Sequence, residues 1–334
     1  MSTYSSEREV AIKAVIKACH LCRTVQKNLV SEESVAKKDK SPVTVADFGA
    51  QAVVSQALAG AFPNVPLVGE EDAAQLREAE NAEVLEKVVA NVQQIEPELN
   101  QDQILAAIDR GTFEGGPTGQ HWTLDPIDGT KGFLRNDQYA VALALIENGQ
   151  VVLGILGCPS LPVDGKNFDG PRGCLFIAEK GCGTTMRVLD DPNAADQPIQ
   201  VTDIADASQA SFCESVESAH SSQSDSAQVA QLLKIAVPPY RIDSQCKYAA
   251  VGRGDASIYL RLPTRKGYEE KIWDHAAGSI VITEAGGRVT DVRGKDLDFS
   301  IGRTLRDNLG VIVTNGKLHD EVVSAVMQVL DLNG

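Results

Sequence analysis

Four short stretches concentrate carboxylates in this 334-residue chain. The densest, Trp122-Thr123-Leu124-Asp125-Pro126-Ile127-Asp128-Gly129-Thr130, reads as a strand that stops at Pro126 and turns into Gly-Thr. Two aspartates separated by a Pro-containing turn can aim both carboxylates at one point, with the Ile127 carbonyl between them. An all-oxygen donor set of that kind suits magnesium. Gly129 and Thr130 then open a helix or tight turn whose N–H groups can face an anion. In the second stretch, Leu67-Val68-Gly69-Glu70-Glu71-Asp72, adjacent carboxylates directly follow a short strand, and they repel one another unless a cation lies among them. Plainer accounts exist for both: a solvated Asp-rich turn for the first, acids favoured at a helix N-terminus for the second.

The third stretch is Ser41-Pro42-Val43-Thr44-Val45-Ala46-Asp47, where Thr44 and Asp47 have the spacing of a capping box in its acidic variant. Taken alone, Asp47 reads as part of a helix cap. The fourth, Ile272-Trp273-Asp274-His275-Ala276-Ala277-Gly278, puts an aspartate at the start of a small-residue helix, where N-capping alone would explain it. Each plain account suffices singly. The conjunction of all four in one chain points to a shared carboxylate site.

Positioning these stretches requires a mixed α/β framework. Val10, Ala14, Ala18, Leu21, Val25 and Leu29 recur at helical spacing and predict a long first helix, and a second is expected from Thr44 to about Ala59. Pro66-Leu67-Val68 and His121-Trp122-Thr123-Leu124 read as strands, with a charged helical excursion over the surface between Ala73 and about Gln103. Strands at Tyr139 to Ile146 and Val151 to Leu156 flank Asn148-Gly149, a strong hairpin signal. Cys174 to Ala178 and Thr184 to Val188 form another hairpin. The Asp-, Asn- and Pro-rich segment from Asp190 to Pro198 is taken as a domain boundary, dividing residues 1–190 from 191–334. Beyond it, strands near 211–216, 240–243, 256–262, 288–292 and 311–314 alternate with helices, which indicates a parallel or mixed sheet covered on both faces.

Composition removes other classes of function. Hydrophobic residues at 43% and charged residues at 23% are those of a globular protein with a core. The net charge of -15 argues against a sequence-independent grip on a nucleic-acid polymer, so a phosphorylated ligand would need bound metal or a few placed Lys and Arg. No apolar run approaches membrane-spanning length. The N-terminus carries no secretory pattern, so a cytoplasmic protein is expected. The cysteines, odd in number and irregularly spaced, do not form a disulfide framework; Cys19 and Cys22, one turn apart in a helical stretch, read as filler. The few histidines lack metal-ligand spacing on one helix, which disfavours a zinc hydrolase.

Gly69-Glu70-Glu71, Asp125-Pro-Ile-Asp128-Gly-Thr130 and Trp273-Asp274-His275-Ala-Ala-Gly278 resemble the three metal-site motifs of the inositol-monophosphatase superfamily, across nearly the whole chain. Lys40-Ser-Pro-Val-Thr-Val-Ala-Asp47, Asp128-Gly-Thr-Lys-Gly-Phe-Leu-Arg135, Ala219-His220-Ser-Ser222, Asp243-Ser-Gln-Cys-Lys247-Tyr and Tyr259-Leu-Arg-Leu-Pro263 are similar, more narrowly, to the 3'(2'),5'-bisphosphate nucleotidases. The resemblance implies a layered αβαβα fold and a magnesium-dependent, lithium- and sodium-inhibited phosphomonoesterase, taken as a monomer. It implies that Glu70, Asp125 and the Ile127 carbonyl hold one magnesium ion, that Asp125, Asp128 and Asp274 hold a second, and that a weaker third lies near Glu70. Asp47 and Thr130 would orient and deprotonate the attacking water, with no covalent phosphoenzyme. Gly129, Thr130, His220, Ser244, Lys247 and Arg261 would contact the substrate, adenosine 3',5'-bisphosphate.

Two departures from the pattern bear on substrate preference. Asn136-Asp137 stands where Gly-Glu is expected, and Gln223 replaces the second histidine of a His-Ser-Ser-His run. The competing readings are a phosphatase of inositol 1,4-bisphosphate or inositol monophosphate, and a catalytically silent sensor of nucleotide or metal. The intact set Asp47, Glu70, Asp125, Asp128, Thr130 and Asp274 argues against the sensor.

Overall fold

A computed structural model describes residues 3–32, 41–216, 222–265 and 267–332. Helix α1 (Ser5–Glu32) buries Ala11, Ala14, Val15, Ala18, Leu21, Cys22 and Val25, the apolar stripe that its periodicity predicts. Helix α2 (Ser41–Ala61) packs against it through Val45, Phe48, Val53 and Leu58. It begins three residues earlier than the sequence suggests, with Pro42 in its first turn, a position where a missing N–H costs nothing. Thr44 and Asp47 therefore lie inside the helix, and the capping-box reading of Asp47 fails.

Strands β1 (Leu67–Gly69), β2 (Gln120–Asp128), β3 (Ala140–Glu147), β4 (Gln150–Pro162), β5 (Arg172–Glu179), β6 (Gly183–Val188) and β7 (Gln197–Pro198) form one sheet in chain order. Only β1 and β2 run parallel; the remaining neighbours are antiparallel. Asn148 and Gly149 make the expected hairpin turn with φ of 49° and 76°. Two strands outrun their expected ends. β2 continues through Pro126 to Asp128 because a bulge between Asp125 and Asp128 excuses the proline from the hydrogen-bond ladder. A register shift between Cys158 and Pro162 does the same for β4. Between β1 and β2 lie α3 (Ala82–Ile95) and α4 (Gln101–Asp109), the latter opened by an Asn100/Gln103 capping box. Within the charged excursion α3 buries Val88 and Val92, and just beyond it α4 buries Ile104, Leu105 and Ile108 and returns the chain to the core.

The second sheet contains β8 (Phe212–Glu214), β9 (Tyr240–Arg241), β10 (Ile258–Arg261), β11 (Arg288–Thr290) and β12 (Val311–Thr314), in the order β11-β12-β10-β8-β9. It is mixed: β10 pairs parallel with β8 and antiparallel with β12. Helices α5 (Thr130–Leu134), α6 (Gln223–Leu232), α7 (Cys246–Gly252), α8 (Ala276–Glu284) and α9 (His319–Val329) complete the described α-helices.

The cores fix the layering. Along β3, Val141, Leu143 and Leu145 face α1 and α2, whereas Ala140, Ala142 and Ala144 face α7 and α8. Tyr259, Val289, Val311 and Val313 of the second sheet close that middle layer from the other side. The opposite face of the second sheet, through Phe212, Ile258, Leu260 and Ile312, packs against α6 and α9. The result is the αβαβα stack. All the cysteines are free, six buried and Cys182 exposed. Among the described residues, no helix is long and apolar enough to cross a membrane.

Candidate active site

The parallel pairing of β1 and β2 is what brings Glu70 to Asp125. Gly69 stands opposite Leu124, and the Glu70 N–H donates to the Leu124 carbonyl at 3.2 Å. The two carboxyl groups leave adjacent strand ends, close enough that the Glu70 charge helps to raise Asp125. The bulge that follows Asp125 re-aims the chain so that Asp128 reaches the same cleft, where its Oδ2 accepts from the Gln245 N–H at 2.6 Å. Gln245 donates through Nε2 to the Trp273 carbonyl at 2.9 Å and accepts through Oε1 from the Gly278 N–H at 3.0 Å. Gln245, through its backbone N–H on one side and its side-chain amide on the other, thereby ties Asp128 to the loop carrying Asp274. That loop precedes α8, which starts only at Ala276 with no side-chain cap, so Asp274 is not an N-cap.

A cleft of about 300 Å³ is lined by Glu70, Asp125, Ile127, Asp128, Gly129, Thr130, Arg261 and Asp274. A smaller recess opens beside it, bounded by Ser244 and Lys247 and sharing Asp128, Gly129, Arg261 and Asp274. Gly129 has φ of 95°, and a Cβ there would stand 2.8 Å from Ser244 Cβ, so only glycine lets the strand end meet the start of α7. Asp47 does not line either space. It lies beneath them on α2, buried, with Glu71 and Glu70 as its electrostatic neighbours and no partner for Oδ1. His220 lies outside the described residues. Gln223 opens α6 and donates to the Ser215 carbonyl at 3.1 Å. Asn136 has φ of 60°, the left-handed conformation that suits the expected glycine and that asparagine tolerates.

Burial and mutual repulsion dominate the electrostatics. Burial, then Asp274 and Glu71, pushes Glu70 up to about 8, and burial with Asp274 raises Asp128 to about 6. Asp47 and Asp125 are driven well above the usual carboxylate range, first by burial and then by the neighbouring acids. Oδ1 of Asp125 has no hydrogen-bond partner. Buried acids that repel one another and leave oxygens unsatisfied fit a divalent cation, which supplies the missing charge and accepts oxygen donors.

Sequence reasoning missed Glu270, Gln245 and Tyr248. The Arg261 Nε donates to Glu270 Oε2 at 2.7 Å, and its Nη2 donates to Asp274 Oδ2 at 3.3 Å. Glu270 also meets His275 Nε2 at 3.2 Å, and His275 Nδ1 meets the Tyr248 hydroxyl at 2.7 Å. Burial alone would raise Glu270, but the His275 hydrogen bond and the Arg261 charge hold it at about 2. Atoms of Glu270, Asp274 and His275 lie within 4.8 Å of one another, a spacing a metal could use. Arg261 already bridges Glu270 and Asp274, however, so this group is an ion-pair network. Gly278 is required beneath it, because a Cβ would stand 2.4 Å from the Tyr248 ring. Lys247 is buried, with its Nζ 5.1 Å from the centre of the Tyr259 ring. Glu270 carried no signal in the sequence beyond its place in an acidic pair, Glu269-Glu270.

Residues 4–331 match the inositol monophosphatase family. The chain is 49% identical over 340 residues to the 3'(2'),5'-bisphosphate nucleotidase 1 of Arabidopsis thaliana, covering 97% of this chain and 96% of that protein. It is 47% identical over 343 residues to the 3'(2'),5'-bisphosphate nucleotidase of Oryza sativa, covering 98% and 95% respectively. Among solved structures, the inositol monophosphatase from Anabaena superposes with a TM-score of 0.63 at 20% identity, covering 98% of this chain and 97% of that one. The IMPase of Thermotoga maritima gives 0.61 at 22%, covering 98% and 100%. These likenesses to solved structures carry the fold, and the full-length match and the high identities carry the rest: the chain belongs to the inositol monophosphatase family.

Proposed function

We propose that this chain is a 3'(2'),5'-bisphosphate nucleotidase that hydrolyses 3'-phosphoadenosine 5'-phosphate to AMP and phosphate. The reading rests on one observation above the others: a carboxylate-lined cleft opens directly beside a recess holding the buried cation Lys247, with Arg261 on the wall they share. The first space suits a phosphate to be cleaved and the second a phosphate to be held. Relatives bearing this activity in their names share nearly half of their residues with the chain over nearly its full length.

In this reading Glu70, Asp125, the Ile127 carbonyl, Asp128 and Asp274 would hold two magnesium ions, with a weaker third at Glu70. When bound, these ions supply neutralising charge for the phosphate and the leaving oxygen and a lowered pKa for water. Asp47, poised beneath Glu70, takes the proton of the attacking water, and the Thr130 hydroxyl at the cleft wall orients that water with it. Gly129 lets the substrate approach the backbone at the start of α5. Lys247 and Arg261 grip the remote phosphate, with Ser244 beside them, and His220 completes the substrate contacts. Glu270 and Asp274 fix the Arg261 guanidinium through its Nε and Nη2 side.

Residues 1–190 supply most of the metal-holding oxygens, and residues 191–334 supply the cations and Asp274. The chain acts as a cytoplasmic monomer on this free metabolite, with lithium and sodium as inhibitors and no polymer or membrane partner. Phosphate release measured with adenosine 3',5'-bisphosphate, adenosine 3'-monophosphate and inositol 1,4-bisphosphate, with magnesium and with EDTA, tests the reading. The bisphosphate nucleotide should be the best substrate and activity should vanish in EDTA. A preference for the inositol compound would overturn the assignment.

A further inference from the structure

One arginine outside the site touches both loops that bring acids to it. Arg303 lies in the segment following β11, and its guanidinium reaches across to the first sheet. Nη2 donates to the Gly69 carbonyl at 2.6 Å, and Nη1 donates to the carbonyls of Gly111 and Phe113, each at 2.9 Å. Gly69 immediately precedes Glu70. The segment through Gly111 and Phe113 runs beside β1, with the Gly69 N–H donating to the Gly111 carbonyl at 2.8 Å. The same guanidinium stacks over the Trp273 ring at 4.9 Å, next to Asp274. Its own carbonyl accepts from the Ile272 N–H at 3.1 Å, and Lys271 pairs with Thr304.

The geometry points to Arg303 as a positioning residue that sets the separation of Glu70 and Asp274, and through it the affinity for divalent cation; this rests on the metal-dependent reading proposed above. Glu70 leaves the end of a three-residue strand in the first sheet, and Asp274 leaves a loop beside the second. Neither element reaches the other by its own hydrogen-bond ladder. Arg303 bridges them with a planar fork that satisfies three carbonyls while one face lies on an indole. Lysine carries the same charge but has neither the fork nor the flat face. Groups that orient metal ligands without touching the metal change affinity or activity by about 10- to 100-fold when removed.

The test compares wild type with Arg303→Lys and Arg303→Ala. Three quantities are measured: the melting temperature in EDTA, the magnesium concentration giving the half-maximal rise in melting temperature and change in tryptophan fluorescence, and the kinetics of phosphate release. Arg303→Lys should fold, with a melting temperature in EDTA within a few degrees of wild type. Its magnesium midpoint should rise about tenfold or more by both binding readouts. At saturating magnesium its KM for the bisphosphate should stay near wild type while kcat falls. An unchanged magnesium midpoint, with only the melting temperature in EDTA lowered, would show a structural prop and overturn the inference. Should Arg303→Ala not fold, Arg303→Lys still decides the matter. A wild type that neither responds to magnesium nor releases phosphate would overturn the metal-dependent reading itself and this inference with it.

Discussion

Lys247 is a buried ammonium whose removal should stabilise the protein while crippling it. Its side chain is only 3% exposed. Burial lowers its pKa, with Asp128 opposing, and among the described residues no carboxylate stands within salt-bridge distance of Nζ. The contact that answers the charge is the face of Tyr259, worth about 2 kcal/mol when desolvated. Taking an ammonium out of water costs several kcal/mol even after relaxation. Lys247→Met keeps the length and apolar stem and removes the charge, so the balance should favour the variant by about 1 kcal/mol, or about 2 °C in melting temperature. In the proposed reading the same change also removes a charge-assisted contact to the remote phosphate, worth about 1.5–3 kcal/mol. That is roughly one to two decades in kcat/KM. The assay pairs calorimetry without nucleotide with kcat/KM for adenosine 3',5'-bisphosphate and adenosine 3'-monophosphate. The loss should appear for the bisphosphate and largely vanish for the monophosphate, which lacks the gripped group. A lower melting temperature together with equal losses on both substrates would refute the reasoning, because Lys247 would then be a structural residue.

Asp125→Asn should reduce phosphate release to the uncatalysed level without lowering the melting temperature in EDTA, since it removes one of several mutually repelling buried acids; near-normal turnover in magnesium would contradict its role. Asp47→Asn should depress kcat with a smaller effect on KM, as lost water activation requires, and a change in thermal stability alone would leave it no part in the chemistry. Away from the site, His319 is held neutral between Thr290 Oγ1, 2.9 Å from Nε2, and Thr314 Oγ1, 3.0 Å from Nδ1. Thr290 gives its own proton to the Asp291 carbonyl, so it accepts from Nε2, and Thr314 donates to Nδ1. Burial lowers His319 from 6.5 to about 4, so its contribution is complete above pH 6.5 and is lost as the pH falls towards 4. Urea midpoints measured across that window should fall less steeply for His319→Gln than for wild type, and parallel slopes would refute the neutral-imidazole account.

The chemistry of the site was legible in short segments because each acid sits beside local punctuation. Asp125 and Asp128 flank a proline, Glu70 ends an apolar run, and Asp274 opens a stretch of small residues. Periodicity likewise carried α1, α2 and the Asn148-Gly149 hairpin, since period and turn chemistry are properties of neighbours in the chain. The misreadings were also local. Thr44 and Asp47 have capping-box spacing, yet α2 starts at Ser41 and buries Asp47 under the acids of another element. Pro126 looks like a strand end, yet a bulge against β3 carries the strand past it. Tertiary structure alone decided which groups answer one another. Glu270 holds Arg261, Gln245 joins Asp128 to the Asp274 loop, and Arg303 spans from Gly69 to Trp273. Helical and strand periods decide which face of an element is apolar. The partner a polar side chain meets across two sheets depends on how those faces stack, and no spacing along the chain encodes it.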